Sequence, residues 1–232
     1  MPDASSVDAT WLGRLLVLWR EKVALTIFGN LFFWSGYFYL SRHAFVPIHL
    51  LPMTWLDDVA GFRGNLWALI YESNFLLVGA VPWLIVSRKE LWRYLAGFAL
   101  LSMSSFIIFL CFPVASPRPP GMTGAGQFLL FIIQVDGPFN AFPSLHASSL
   151  VYTLAVARRL FALRSLAWVC LIVWAGLILF GTMATKQHYA LDLVAGGLIG
   201  LAADWLVWGR FGSSTVMTTR RSNVVTSQAG SK

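Results

Sequence analysis

The chain has 232 residues, of which 57% are hydrophobic, 15% aromatic and only 12% charged, with a formal net charge of +7. Soluble domains carry about 25% charged residues, so too few polar side chains exist here to cover a water-facing surface. Disorder, collagen-like repeats and a disulfide scaffold are excluded, the last because Cys111 and Cys170 are the only cysteines and both sit in apolar runs.

An integral membrane protein remains, and a spanning helix needs about 20 apolar residues. The polar start and the apolar stretch Trp11 to Trp19 read as an N-terminal interfacial segment, residues 1–22, and not as a cleaved signal, because no basic residue precedes it. Six spans then follow within residues 23–209. The first runs from Val23 to Leu40 and the second from Asn65 to Ser87, interrupted only by Glu72, to which no catalytic role is assigned. The third lies between Arg93 and Pro113, and Gln127 to Gln134 is apolar but too short to cross. The fourth starts at Pro143 and stops at Arg158 and Arg159; the fifth, Ser165 to Thr185, is uncharged. The sixth runs from His188 to Gly209, and Asp204 beside Trp205 and Trp208 suits a membrane interface. Residues 210–232 read as a disordered cytoplasmic tail.

Lys and Arg in the connections orient this all-α, six-helix bundle. Thirteen fall on one side: Arg14, Arg20, Lys22, Arg88, Lys89, Arg93, Arg158, Arg159, Arg164, Arg210, Arg220, Arg221 and Lys232. Four fall on the other, namely Arg42, Arg63, Arg118 and Lys186, so both termini are expected to be cytoplasmic. That bias accounts for the net charge, and neither a nucleic acid nor a protein partner is predicted.

Three polar clusters then share the non-cytoplasmic side: Phe112 to Pro120 with Arg118, Asn140 to Ser148 with Pro143, Ser144 and His146, and Thr182 to Asp192 with Lys186 and His188. Ionisable groups at a membrane edge are costly and tend to be functional. His188 and Asp192, four apart, share a face on a helix, so the carboxylate can fix the imidazole tautomer and leave the other nitrogen to attack. The same pair equally suits a tie between helices. Pro143 fits a first helical turn, placing Ser144 and His146 where free N–H groups favour an anion and where His146 can protonate a leaving oxygen. Read alone, His146 is also a packing or capping histidine. Arg118, mounted between prolines, is a fork for phosphate; Lys186 is either a second phosphate contact or a snorkelling anchor. Together the residues suit phosphoryl transfer through a histidine.

Pro143-Ser144-Leu145-His146-Ala147 resembles the central motif of the type 2 phosphatidic acid phosphatase (PAP2) superfamily, His188-x-x-x-Asp192 its third motif, and Arg118-Pro119 the end of its first. The resemblance implies a six-helix core, no metal or cofactor, and a phosphohistidine intermediate. His188 would be the nucleophile, Asp192 its orienting partner and His146 the general acid, with Arg118, Ser144 and Lys186 on the phosphate. The first-motif Lys is replaced by Cys111, and the Ser-Arg opening of the third motif by Gly181 and Thr182. The run Thr185 to Asp192, with Pro52 to Asp58, is more similar to the inositol phosphorylceramide synthase branch, which moves a phospho-alcohol between lipids. The expected activity is therefore a lipid phosphatase or a headgroup phosphotransferase on a phospholipid or polyprenyl phosphate. A bacterial inner membrane, with the site facing the periplasm, suits so compact a core. A bis-histidine haem leaves Arg118, Lys186 and Asp192 without use. A zinc hydrolase would take His146, His188 and Asp192 as ligands, and a transporter would show broken helices or inverted repeats.

Overall fold

The computed structural model describes residues 10–119, 121 and 124–209. The expected tail at 210–232 and the first nine residues of the expected interfacial segment lie outside them. The described residues are helical: α1 Trp11–Leu16, α2 Trp19–Arg42, α3 Trp55–Ala60, α4 Leu66–Glu72 and α5 Asn74–Leu84 come first. They are followed by α6 Arg88–Cys111, α7 Gly126–Val135, α8 Leu145–Leu160, α9 Ser165–Ala184 and α10 Ala190–Asp204, which ends in a π turn, Trp205–Gly209.

Five of these stretches are long and apolar enough to cross a membrane: α2, α4 with α5, α6, α9, and α10 with its π turn. Large apolar side chains such as Phe28, Phe32, Leu76 and Val194 are exposed along them, as expected for helices that face lipid. Helix α8 has 16 residues and spans about 24 Å, short of a hydrocarbon core of about 30 Å.

Several helix ends differ from the sequence reading, each for a local reason. The second stretch breaks at Ser73, whose hydroxyl bonds back to the Ile70 carbonyl and receives Trp174 Nε1 from α9. Pro143 is not in the first turn of α8. Ser144 is the N-cap, its hydroxyl accepting from Ala147 N at 3.3 Å, and the cis Phe142–Pro143 peptide precedes it. His188 likewise lies outside its helix. Helix α10 begins at Ala190, and Asp192 accepts from Tyr189 N at 2.8 Å, so the carboxylate caps the helix and leaves His188 in the segment before it.

The packing is closest between α8 and α10. In a bilayer, small residues let helix backbones approach, and two glycines do so here. A Cβ at Gly196 would meet the Ser144 carbonyl oxygen at 2.2 Å, and one at Gly200 would meet that of Ser148 at 2.4 Å. Ser144 N donates to the Asp192 carbonyl at 3.1 Å at the top of this seam. Tyr152, fully buried, ties α8 to α6 through the Tyr94 carbonyl at 2.9 Å and receives Trp208 Nε1. At the same end Arg159 grips Asp204 with two hydrogen bonds, of 3.1 and 2.7 Å, an ion pair that the interfacial reading of Asp204 does not anticipate.

Candidate active site

At the opposite end the loops after α2, α6 and α7 pair through isolated bridges, His49 to Val114 and Val114 to Asn140. These bridges fix Ala141, whose carbonyl lies 2.8 Å from His188 Nδ1. Asp192 Oδ2 lies 3.4 Å from the same nitrogen. Both neighbours are acceptors, so Nδ1 carries the proton and Nε2 keeps its lone pair. The His188 ring is buried, and the Asp192 carboxylate is wholly so.

His146 stands on the first turn of α8 with its ring centroid 5.6 Å from that of His188, edge to face. Tyr71 of α4 also meets His146 edge to face, at 5.3 Å. His146 Nε2 is buried without a hydrogen-bond partner. Two residues 42 positions apart in sequence thus present imidazoles to one small space.

Arg118 is held from behind. Nη1 donates to the Asp136 carbonyl at 3.0 Å and Nη2 to Gln187 Oε1 at 2.6 Å, with Asp136 Oδ2 at 3.6 Å. Its Nε is buried and unpartnered, as is Asn140 Nδ2. Asp136 Oδ1 is likewise buried and unpartnered, and the Asn140 side chain interacts with Asp136 and Tyr37, so an anionic oxygen seated on Arg118 Nε and Asn140 Nδ2 has that carboxyl as a neighbour. Burial pushes the Asp136 carboxyl above the usual carboxylate range, and the adjacent Arg118 guanidinium partly offsets this.

The other two expected phosphate ligands are occupied locally. Ser144 is fully buried, its oxygen capping α8. Lys186 adopts a left-handed backbone, φ 55°, and its Nζ donates to the Asp57 carbonyl at 2.6 Å. Asp57 also accepts from Ala190 N at 2.9 Å, so α3 pins the start of α10. At the positions of the missing third-motif Ser and Arg, Gly181 packs against Tyr71 and Thr182 is wholly buried.

Asp136 escaped the sequence reading, and Asn140, Ala141, Gln187 and Asp57 stood in stretches it singled out without being given a role. Gln187 lay between two singled-out residues, and Asp57 lay in a stretch noted for its resemblance, but neither spacing nor periodicity marks any of them. Among the described residues no cluster of three or more His, Cys, Asp or Glu is arranged to hold a metal ion.

No curated protein and no solved structure matches the chain. A family model does, over residues 48–206, a stretch that contains every residue of this site. The match, over well more than half the sequence, makes the chain a member of the PAP2 superfamily.

Proposed function

We propose that this integral membrane protein transfers a phosphoryl group from a lipid phosphate by way of a phosphohistidine on His188. The observation that carries the reading is the pair of acceptors on His188 Nδ1, which leaves a lone pair on Nε2 of a ring whose centroid lies 5.6 Å from that of His146. In the first step Nε2 attacks phosphorus, the P–O bond to the lipid alcohol breaks, and protonated His146 gives its proton to the leaving oxygen. Arg118 Nε and Asn140 Nδ2 take up the non-bridging oxygens. In the second step an incoming hydroxyl returns a proton to His146 and displaces His188 from phosphorus.

Family membership supports a phosphatase or phosphotransferase. Headgroup transfer is a second reading with its own support. Lys186 is engaged with a carbonyl, and Cys111 and Thr182 stand where the motifs otherwise carry cations. A site so poor in cations suits a phosphodiester, with one negative charge, better than a doubly charged monoester.

The reading includes six crossings with both termini cytoplasmic, for which the thirteen-to-four Lys and Arg bias is the support. A bacterial inner membrane is the setting it favours. With Arg159 at the cytoplasmic interface, the 13 residues back to His146 rise about 20 Å and leave it about 10 Å below the periplasmic edge of the hydrocarbon core, so a lipid phosphate meets it by entering the bundle.

The test is a pulse of lipid phosphate labelled on phosphorus. Acid-labile, base-stable label on wild-type protein and none on His188→Ala is the expected result. Label that persists on His188→Ala, or no turnover of any lipid phosphate, overturns the reading. Adding lipid alcohols separates the two outcomes: free phosphate marks hydrolysis and a new phospholipid marks transfer.

A further inference from the structure

A groove of about 400 Å³ opens among α2, α5 and α6 and ends at the first turn of α8. Ligand pockets usually measure about 300–1,000 Å³. Its walls are mostly apolar, among them Phe33, Trp34, Phe75 and Phe98. Along α2 it is lined from Lys22 to Tyr37, a length of about 22 Å at the helical rise and therefore most of a hydrocarbon core of about 30 Å. At one end it is lined by His146, the residue it shares with the candidate active site.

Beside that end the wall carries polar groups, Tyr37, Asn74 and Ser149. Asn74 is 1% exposed and lines the groove. Its Nδ2 lies 3.3 Å from Ser149 Oγ, whose own proton goes to the His146 carbonyl at 3.2 Å. A hydroxyl whose single proton is committed acts toward Asn74 only as an acceptor, which fixes the amide with Nδ2 toward Ser149 and Oδ1 away from it. Oδ1 is buried and has no partner. Buried polar groups in native proteins are almost always paired, and Asn74 lines the same groove as His146, whose Nε2 is also buried and unpartnered. What is missing is a donor.

We propose that the groove seats the lipid alcohol of the substrate, and that Asn74 Oδ1 accepts a hydrogen bond from a hydroxyl or amide N–H carried by that alcohol beside the ester oxygen that His146 protonates. The inference rests on the phosphoryl-transfer reading and narrows its substrate class. Asn74 is a positioning residue that favours lipid phosphates with a free donor near phosphorus over those whose neighbouring heteroatoms are all capped. Gly79 keeps the groove open farther down, since a Cβ there would meet nothing within 4 Å.

The experiment uses the full chain in lipid vesicles and matched pairs of long-chain lipid phosphates. One pair differs only by a hydroxyl or its methyl ether next to the phosphate, the other by an amide N–H or its N-methyl form. Wild type is expected to prefer the donor-bearing member in kcat/KM by roughly ten- to a hundredfold, and Asn74→Leu to bring that ratio close to one. The pair that responds identifies the donor. Ser149→Ala gives the same readout with less disturbance of folding, because an unanchored amide rotates and the preference falls. Gly79→Phe is expected to raise KM for a long-chain phosphate about tenfold more than for a short-chain one. Equal kcat/KM within both pairs in wild type, or a preference that survives Asn74→Leu, overturns the assignment and leaves phosphoryl transfer standing. Absence of turnover with every lipid phosphate overturns both.

Discussion

His188 is competent as a nucleophile in one tautomer only, and two acceptors on Nδ1 select it. The Ala141 carbonyl is the closer of the two, so it orients the ring, and in the proposed mechanism buried Asp192 would also stabilise the charge that develops on the imidazole. Asp192→Asn keeps the size and the cap on Tyr189 but loses that charge. Its kcat is expected to fall by about 10²–10⁴-fold with KM little changed, measured by steady-state release. Arg118 depends on geometry as much as on charge, because each terminal nitrogen gives one N–H to Asp136 or Gln187, which fixes the plane of the guanidinium and the direction of the unpartnered Nε. Arg118→Lys keeps the charge and loses the fork, so kcat/KM is expected to drop roughly ten- to a hundredfold; wild-type kinetics in this variant would remove Arg118 from the phosphate seat.

At the scale of elements, the seam between α8 and α10 brings the two histidines together. Gly196 and Gly200 allow backbone to lie against backbone, and the Ser144 N–Asp192 O bond locks the register at the top. Gly196→Ala forces a methyl into the Ser144 carbonyl. It is expected to destabilise the protein by about 1–3 kcal/mol in detergent unfolding and to reduce turnover with it. The Arg159–Asp204 pair joins the same helices at the far end, with the Arg side chain 46% exposed. Arg159→Ala leaves the buried Asp204 carboxylate without its two hydrogen bonds, and is expected to cost about 1–3 kcal/mol while turnover per folded molecule stays within about twofold of wild type. The helix ends show where sequence reasoning stops. Periodicity located α8 and α10 but put Pro143 and His188 inside them, because a side-chain cap from Ser144 or Asp192 overrides a proline preference or an i,i+4 spacing.

The whole molecule has two polar ends and an apolar middle. His146, His188, Arg118 and Asp136 occupy one end. At the other, Lys22 donates to the Arg14 and Trp83 carbonyls, Arg88 pairs with Glu21, and Arg159 pairs with Asp204. Asp58 lies with the site end and Lys89 with the other, and both are exposed. In a Cys111→Ser, Cys170→Ser background, an impermeant thiol reagent on intact cells is expected to label Asp58→Cys and spare Lys89→Cys. The reverse pattern would invert the orientation drawn from the charge bias.

Composition alone made this a membrane protein and length limited its crossings, because 57% hydrophobic residues admit no water-facing surface. Motif residues such as His146, His188 and Asp192 were legible because their side-chain types are rare and costly at a membrane edge. What tertiary structure alone decided is how they are held. The Ala141 carbonyl belongs to a backbone that every residue possesses, and Asp136, Gln187 and Asn74 acquire meaning only through partners 18, 69 and 75 positions away. Spacing along a chain encodes local periodicity; hydrogen bonds across a bundle depend on which helices are allowed to touch, and here two glycines and a capped turn set that contact.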